Sequence, residues 1–446
     1  MKQIVIVLCK LLSLIGRLIG KGSSLPGKVA LKLCPNILSR LQLPKKIIAV
    51  TGSNGKTSTV EVIARVLEAD GKQVIWNKEG SNQIEGVTTL LLNHASLSGK
   101  VAGDVVLLES DERFARLTFR HIKPTHFFVT NLYRDQLTRN GHPYRIRDYI
   151  RMAVDLIPEA TLVLNADDPI VTTLGQGRDN TLYFGMAENA LSTKESDALF
   201  NDCHYCPVCK QEMTYDCFHY THLGLWHCDS CGYRRPDTAW TVTDMDLSQE
   251  TFTVNGQAIS LEFASKYNVY NLCAAFAACD LAGANADTTA KVLSDFVMKN
   301  GRVVRFTAGE NEGLLITSKH ENSTSYNQSL GYICAQKEKF DLVILVDAIS
   351  RKYFTAETSW LWDISFEQLA VSQAQKIYLT GKYAYDLSVR FRLAGIENAQ
   401  VIVEPDLNKM GQAIRQKTDN KLYAVTCFSD KEKLFAQVQV HGPVAK

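Results

Sequence analysis

The sequence predicts an α/β protein with a mainly parallel sheet in each half and a small cysteine-rich module set into the first. Three observations carry this prediction. Short β-rich apolar runs alternate with helical stretches from about residue 46 to 184, and again from about 312 onward. The first run empties into a Gly-rich turn, Thr51-Gly52-Ser53-Asn54-Gly55-Lys56-Thr57-Ser58, followed by a helical stretch. Two C-x-x-C pairs fall where the alternation lapses.

The chain of 446 residues suggests two to four domains, at roughly 100–200 residues each. Hydrophobic residues at 46% and charged residues at 22% exclude a disordered chain, a collagen-like fibre and a polytopic membrane protein. The net charge of +2 is too small for a whole-chain polyanion binder. Its distribution is uneven. Residues 1–46 hold nine of the 49 Lys and Arg and none of the 47 Asp and Glu, so the rest carries 40 positive against 47 negative side chains. That leader is apolar over residues 4–9, but Lys10, Arg17 and Lys21 interrupt it and no small-x-small cleavage site follows. It reads as neither a secretory signal nor a spanning helix. Lys10, Ser13, Arg17 and Lys21 recur at steps of three, four and four, which predicts an amphipathic helix. Its basic face is either solvated, with the helix packed on the body, or set against an anionic surface such as phospholipid.

Strands are expected at 46–51, 74–76, 105–108, 126–130, 161–164 and 181–184, with a helix over 56–68. In the Gly-rich turn, glycines let backbone N–H groups approach phosphate oxygens, and the helix start adds positive potential. Gly52, Ser53, Asn54, Gly55, Lys56, Thr57 and Ser58 are the candidate phosphate-binding residues. Lys56 can reach the outer phosphates, and the Thr57 hydroxyl can sit on Mg²⁺. The spacing departs from G-x-x-x-x-G-K-[ST] because residue 50 is Val. A Mg²⁺ site needs further oxygen ligands. Glu109 ends the 105–108 strand, where ligands of open α/β sheets bind, and Asp111 and Glu112 follow. Asp111 also suits a helix N-cap.

Residues 203–236 are rich in Cys, His, Tyr and Gly and lack periodicity. Cys206, Cys209, Cys228 and Cys231 have the spacing of a four-thiolate zinc site, each pair on a tight turn. Cys203, Cys217, His204 and His227 are spare candidates. A closed four-sulfur shell implies a structural metal. Short strands at 240–243, 251–254 and 259–263 follow, the last two joined by Asn255-Gly256 as a hairpin. An apolar helix over 268–282 ends at Gly283. The second series places strands at 314–317, 342–346, 376–380, 401–403 and 422–426. The cysteines outside the insertion sit in apolar contexts without a nucleophile elbow and read as buried and inert.

The octapeptide is similar to the T-G-T-N-G-K-T signature of the Mur ligases and folylpolyglutamate synthetases. Asn82 in E-G-S-N, Thr130-Asn131-Leu132-Tyr133-Arg134-Asp135-Gln136, Asn165-Ala166-Asp167-Asp168-Pro169, Tyr267-Asn268-x-Tyr270-Asn271 and Gly301-Arg302 follow that family's order. With the four-cysteine insertion and the segment from Ser359 to Glu367 (S-W-L-W-D-x-x-F-E), the chain resembles one branch of the family over almost its whole length. That branch supplies the ligase subunit of the bacterial enzyme amidating the D-glutamate of lipid II. The resemblance implies a Mur-ligase-like P-loop domain, an inserted zinc ribbon and a Rossmann-like C-terminal domain. It implies that residues 52–58 bind ATP, that Thr57 and Glu109 hold Mg²⁺, and that Asn268, Asn271 and Arg302 lie near the nucleotide. It also implies a heterodimer with a GatD-like glutamine amidotransferase subunit, whose Cys-His-acid triad takes its acid from this chain. The branch carries Asp-Gly-x-Asp-x-Ser-Trp there, whereas this chain reads Phe354-Thr355-Ala356-Glu357-Thr358-Ser359-Trp360. Glu357 ranks first, then Asp363, which can cap the next helix, then Asp347 at the end of the 342–346 strand.

These readings set boundaries of 1–46 for basic amphipathic helices, 47–310 for the ATP-binding domain with an insertion at about 200–237, and 311–446 for a partner-binding domain. The expected activity is ATP-dependent amidation of the D-isoglutamate α-carboxyl in lipid II, in the cytoplasm at the inner membrane face. A stand-alone amino-acid ligase of the same fold is the first alternative. The second is a nucleic-acid-binding switch built on the P-loop and the ribbon, against which the acidic body argues; no nucleic acid is expected.

Overall fold

The computed structural model describes residues 1–18, 23–78, 81–190, 192–196, 198–246, 248–261, 266–296, 303–348 and 357–443. Lys21 and Arg302 lie outside them. The chain forms two units: Met1–Tyr133 with His142–Phe296, and Arg134–Gly141 with Val297–Lys446.

The first unit opens with helices α1 (Lys2–Leu18) and α2 (Leu25–Leu33). An alternating series follows: β1 (Lys46–Thr51), α3 (Lys56–Ala69), β2 (Val74–Trp76), α4 (Ile84–His94), β3 (Val105–Glu109), α5 (Ala115–Thr118) and β4 (His126–Val129). The short α6 (Leu137–Asn140) belongs to the second unit. Then come α7 (Pro143–Val154), β5 (Thr161–Asn165), α8 (Pro169–Thr172), β6 (Thr181–Met186), the hairpin β7 (Thr214–Tyr220) and β8 (Leu223–His227), and β9 (Trp240–Asp246). The unit closes with β10 (Thr251–Val254), β11 (Gln257–Ser260), α9 (Lys266–Leu281) and α10 (Ala286–Ser294).

Its nine-stranded sheet runs β11-β10-β9-β6-β5-β4-β1-β3-β2. Every pair from β2 to β9 is parallel, and only the β9-β10-β11 edge is antiparallel. The all-buried run Ile47–Thr51 is what a central parallel strand covered on both faces requires. Asn255 and Gly256 both take positive φ (47° and 83°), as a type I′ hairpin demands, so the sequence signal there was a true turn. Gly283 caps the end of α9 at φ 73°.

The leader forms helices, but the face expected to be solvated is not wholly so. Ser13 is 3% exposed, on the packed side of α1 with Val5, Ile6 and Cys9. Val5, Ile6, Cys9 and, from α2, Ala30 share one core with Ile47, Val87, Leu91 and Val106, so α1 and α2 are integral to the first unit. Ser13 is small enough to pack against the body, which spacing alone did not reveal.

The second unit holds β12 (Val303–Ala308), β13 (Asn311–Ser318), α11 (Ser323–Cys334), β14 (Phe340–Leu345) and β15 (Ala374–Thr380). It continues with α12 (Ala384–Leu393), β16 (Gln400–Glu404), α13 (Leu407–Ile414), β17 (Lys421–Cys427), α14 (Lys431–Phe435) and β18 (Gln439–Pro443). The order β16-β15-β14-β17-β13-β12-β18 is parallel from β16 to β13 and antiparallel beyond, a Rossmann-like open sheet. Strand β12 precedes the 310/311 boundary drawn from sequence. It pairs residue for residue with β13, which places it in this unit and the division at Phe296/Val297.

Candidate nucleotide site and cysteine centre

Strand β1 lies between β3 and β4, and its C-terminal end delivers the chain into the Gly-rich turn. Asn131, just after β4, braces that turn. Its carbonyl accepts from Ser53 N–H (2.9 Å), its side-chain oxygen from Asn54 N–H (2.9 Å), and its amide donates to Asn54 O (3.1 Å). Ser53 Oγ donates to Tyr133 O (3.2 Å) and accepts from Tyr133 N–H (3.0 Å). A turn held this way is preorganised before any ligand arrives. Gly52 (φ 143°) and Gly55 (φ 85°) are in the left-handed region, and a Cβ at Gly55 would overlap the Asn271 side chain.

Helix α3 starts at Lys56, so the N–H groups of its first turn have no acceptor within the helix. They lend positive potential to the mouth of the turn. The Lys56 ammonium bonds to Gly52 O and ion-pairs with Glu112, both partners being largely buried. Glu109 is the last residue of β3, 4% exposed, opposite Val50 in the register. Asn77 fixes its backbone and Asn82 Nδ2 donates to its carboxylate (3.0 Å). Asp111 accepts from Arg113 N–H (3.0 Å) in the turn before α5 but does not cap that helix, whose N-cap is Phe114.

Asn268 and Asn271 are buried one turn apart on α9. The helix is pinned by Tyr270, whose hydroxyl donates to Asp167 (2.7 Å). Burial, with Asp167 beside it, pushes the Tyr270 hydroxyl well up, so it remains a donor. Asp167 also accepts from Arg235 Nε (2.6 Å) and Met186 N–H (2.8 Å). Asn271 Nδ2 is buried with no hydrogen-bond partner among the described residues, next to Gly55. A cradle open only because its residues are glycines, beside an unsatisfied amide, fits a phosphate-bearing nucleotide. The structure thus brings together Gly52, Ser53, Asn54, Gly55, Lys56 and Asn271, with Thr57 and Ser58 in the first turn of α3 and Glu109 on the adjacent strand. Glu112 and Asp167 complete the setting. The sequence set Glu112 among the acids that follow Glu109 and Asp167 within the Asn165–Pro169 motif, but it did not show that Glu112 pairs with Lys56 or that Asp167 receives Tyr270, Arg235 and Met186.

The four expected cysteines converge. Cys206 and Cys231 Sγ lie 3.7 Å apart, Cys209 and Cys228 Sγ 3.5 Å, and all four sulfurs are within 4.8 Å of one another. Tetrahedral Zn–S bonds of about 2.3 Å require sulfurs about 3.8 Å apart, so the set fits Zn²⁺. Each C-x-x-C pair sits on a tight turn ended by a left-handed residue, Lys210 (φ 65°) and Gly232 (φ 71°). Lys210 N–H and Gly232 N–H close these turns on Cys206 O and Cys228 O. The spare candidates stay out: His204 faces Glu212, His227 faces Asp216 and Asp229, and Cys217 is buried on β7. Cys203 lies instead with Asp168 and His222 in a second buried group. There Asp168 already accepts from the N–H groups of Leu132, Ile170 and Val171, as the N-cap of α8, and burial pushes the Cys203 thiol well up.

The insertion, read as lacking periodicity, contains the β7–β8 hairpin. It is tied to the sheet by Trp226 Nε1 donating to Ala166 O (3.1 Å) and Tyr233 hydroxyl donating to Pro169 O (2.9 Å). Strand β6 pairs directly with β9, so the module leaves and rejoins the sheet without interrupting it.

In the second unit the three candidate acids have separate settings. Glu357 is exposed and turned onto its own chain, accepting from Ser359 N–H (2.8 Å), which lowers its carboxyl from the ordinary value. Asp363 ends a 3₁₀ turn (Ser359–Asp363) and faces Arg134 at 3.5 Å. It does not cap the following turn, whose N-cap is Ser365. Asp347 follows β14; Lys382 N–H donates to it (2.8 Å) and Lys433 ion-pairs with it. Burial alone would raise the Asp347 carboxyl, but these partners hold it below the ordinary value. Asp135 is buried, paired with Lys319 and accepting from Asn322 Nδ2 (2.9 Å), which anchors 134–141 to this unit.

A family model described as Mur ligase middle domain matches residues 50–223, and one described as MurT ligase C-terminal matches 320–430. The lipid II isoglutaminyl synthase (glutamine-hydrolyzing) subunit MurT of Staphylococcus aureus strain COL is 30% identical over 411 residues, 90% of each chain. The chain belongs to the MurT family. The MurT subunit of Streptococcus pneumoniae R6 is 28% identical, over 92% of this chain and 91% of its own. The solved pseudomurein peptide ligase type C from Methanothermus fervidus superposes with a TM-score of 0.65 at 20% identity, over 89% of this chain and 79% of that one. It shares the Mur ligase fold. The MurT C-terminal match contains Asp347, Glu357 and Asp363, and the middle-domain match contains the Gly-rich turn, Glu109 and the first C-x-x-C pair. This MurT-family chain is therefore a ligase of the Mur type.

Proposed function

We propose that this chain is the synthetase subunit of a lipid II isoglutaminyl synthase, using ATP to convert the D-isoglutamate α-carboxyl of lipid II into its amide for peptidoglycan synthesis. The observation that carries the reading is the preorganised turn 52–58 with Asn271 over Gly55, in a chain similar over 90% of its length to a MurT subunit.

The first-turn N–H groups of α3 and the Lys56 ammonium receive the phosphates, Lys56 exchanging its pair with Glu112 for the outer phosphate. Thr57 and Glu109 are the residues that would hold Mg²⁺, which when bound offsets charge on the transferring phosphoryl group. A substrate carboxylate oxygen attacks the γ-phosphorus, ADP leaves, and an acyl phosphate forms. Ammonia then attacks the carbonyl carbon, phosphate departs with the carboxyl oxygen, and a proton is lost to give the amide. Asn268 and Asn271 position the nucleotide, with Arg302 as the further expected contact. The four cysteines hold Zn²⁺ as a fold-stabilising centre.

Ammonia comes from a GatD-like glutaminase subunit, this chain supplying the triad acid of the heterodimer. Of the three acids Glu357 is the exposed one, which favours it over Asp363 and Asp347, both committed to basic partners. The lipid-linked substrate places the reaction at the cytoplasmic membrane face. No helix among the described residues is long and apolar enough to cross a membrane.

The test is mass-spectrometric detection of amidated lipid II, with Mg-ATP and either ammonium, glutamine or a free amino acid supplied to the purified chain. Amide with ammonium alone is the expected result. Product with the amino acid instead would replace this reading by that of an amino-acid-adding ligase.

A further inference from the structure

Helix α1 carries apolar side chains on two opposite faces. One face, with Val5, Ile6, Cys9 and Ser13, is buried in the first unit's core. On a solvated helix the opposite face is polar. Here it presents Ile4 (67% exposed), Val7 (42%), Leu11 (53%), Leu14 (62%) and Ile15 (56%). These positions advance by three, four and three residues, with Ile15 beside Leu14, so they form one continuous strip along the helix. Among the described residues nothing covers it.

The charged side chains of α1 and α2 are all basic. Lys10 stands exposed on α1, and Lys28 and Lys32 stand exposed on α2, which packs against α1 and carries exposed Leu25 and Leu33. No Asp or Glu occurs anywhere in residues 1–46, while the remainder of the chain is net acidic. Exposed apolar side chains on helices whose charged residues are all basic match a bilayer interface with anionic headgroups. A protein groove would be matched as well by mixed charge, and a second copy of this chain would bring cation against cation.

We propose that the exposed strip of α1, with the lysines of α1 and α2, is an in-plane docking surface for an anionic phospholipid bilayer. Ile4, Val7, Leu11 and Leu14 enter the acyl boundary and Lys10, Lys28 and Lys32 meet the phosphates, so the chain lies on the membrane without spanning it. The inference takes from the proposed function only that the substrate is lipid-linked.

The experiment is flotation of the full-length chain with vesicles of phosphatidylcholine alone or mixed with phosphatidylglycerol. The wild type is expected to float with the anionic vesicles and far less with the neutral ones. Two variants separate the components: Leu11→Gln with Leu14→Gln, and Lys10→Glu with Lys28→Glu and Lys32→Glu. Each should weaken binding at least about tenfold at an unchanged thermal midpoint. Wild type unbound to both vesicle types, or variants bound as tightly as wild type, overturns the proposal. So does a concentration-dependent dimer abolished by the Leu11/Leu14 pair, which would assign the strip to a second copy. Amidation of a water-soluble substrate analogue reads the ligase separately: both variants should retain it, and its absence in wild type would strike the function while leaving the vesicle result intact.

Discussion

At Gly55 the backbone turns through φ 85° and the Asn271 side chain occupies the space a Cβ would need. Gly55→Ala should therefore distort the phosphate cradle by strain, at a cost of about 1–2 kcal/mol, and by collision. Nucleotide affinity by calorimetry should be lost while the far-UV spectrum is kept, and Gly55→Ala with Asn271→Ala should not restore it, because the strain remains. Lys56 makes a different prediction. Lys56→Met leaves the turn intact, since Asn131 braces it, but removes the charge for the outer phosphates. Turnover should fall about a hundredfold or more, and the melting temperature should fall as well, because Glu112 is left buried without the Lys56 cation. At Lys433 the outcome depends on pH. Asp347 is held below the ordinary carboxyl value, so its contribution to stability is present above about pH 4 and lost as acid titrates the folded group. Lys433→Met should raise that carboxyl, shift acid unfolding of the chain to higher pH, and cost about 1–3 kcal/mol in urea titrations, because Asp430 is left buried with one partner fewer. An unchanged acid limb would contradict the assignment.

The inserted module tests the account at the level of elements. Beyond the residues packed around its four sulfurs (Met213, Trp226, Tyr215 and Tyr233), it holds little core of its own. One Zn²⁺ per chain should be found by elemental analysis. Chelation should expose 203–236 to protease while leaving the nine-stranded sheet protected, because β6 and β9 pair without the module. Much of this was legible in the sequence. The C-x-x-C spacing found the four-cysteine cluster, and the apolar runs found the parallel strands, because burial on both faces forces near-continuous β-branched sequence. What escaped has physical causes. Strand β7 reads Thr-Tyr-Asp-Cys-Phe-His-Tyr, exposed or half-buried over its first three residues and buried over its last four, so it shows no period-two hydropathy pattern. The antiparallel strand β12 and the edge strand β18 beside it carry Arg305, Gln439 and His441, which break up the apolar run that marks a buried strand. The Lys56–Glu112 pair and the Asp167 hub join residues 56 and 103 positions apart, and no local pattern records such distances.

For the whole molecule, two α/β units divide the labour. The first holds the candidate nucleotide cradle, the four-cysteine cluster and the basic leader, and the second holds the candidate acids Asp347, Glu357 and Asp363. If Glu357 completes a partner's triad, Glu357→Gln should abolish glutamine-dependent amidation in the reconstituted complex and spare ammonium-dependent amidation. Asp347→Asn and Asp363→Asn should spare both. The central claim is that the cradle in the first unit activates a carboxyl by phosphoryl transfer. Its most direct measurement uses lipid II labelled with ¹⁸O in the D-isoglutamate α-carboxyl, incubated with the chain, Mg-ATP and ammonium, and follows the label into inorganic phosphate by mass spectrometry. The account predicts one labelled oxygen in each phosphate released with amide. Amide formed with unlabelled phosphate would contradict it.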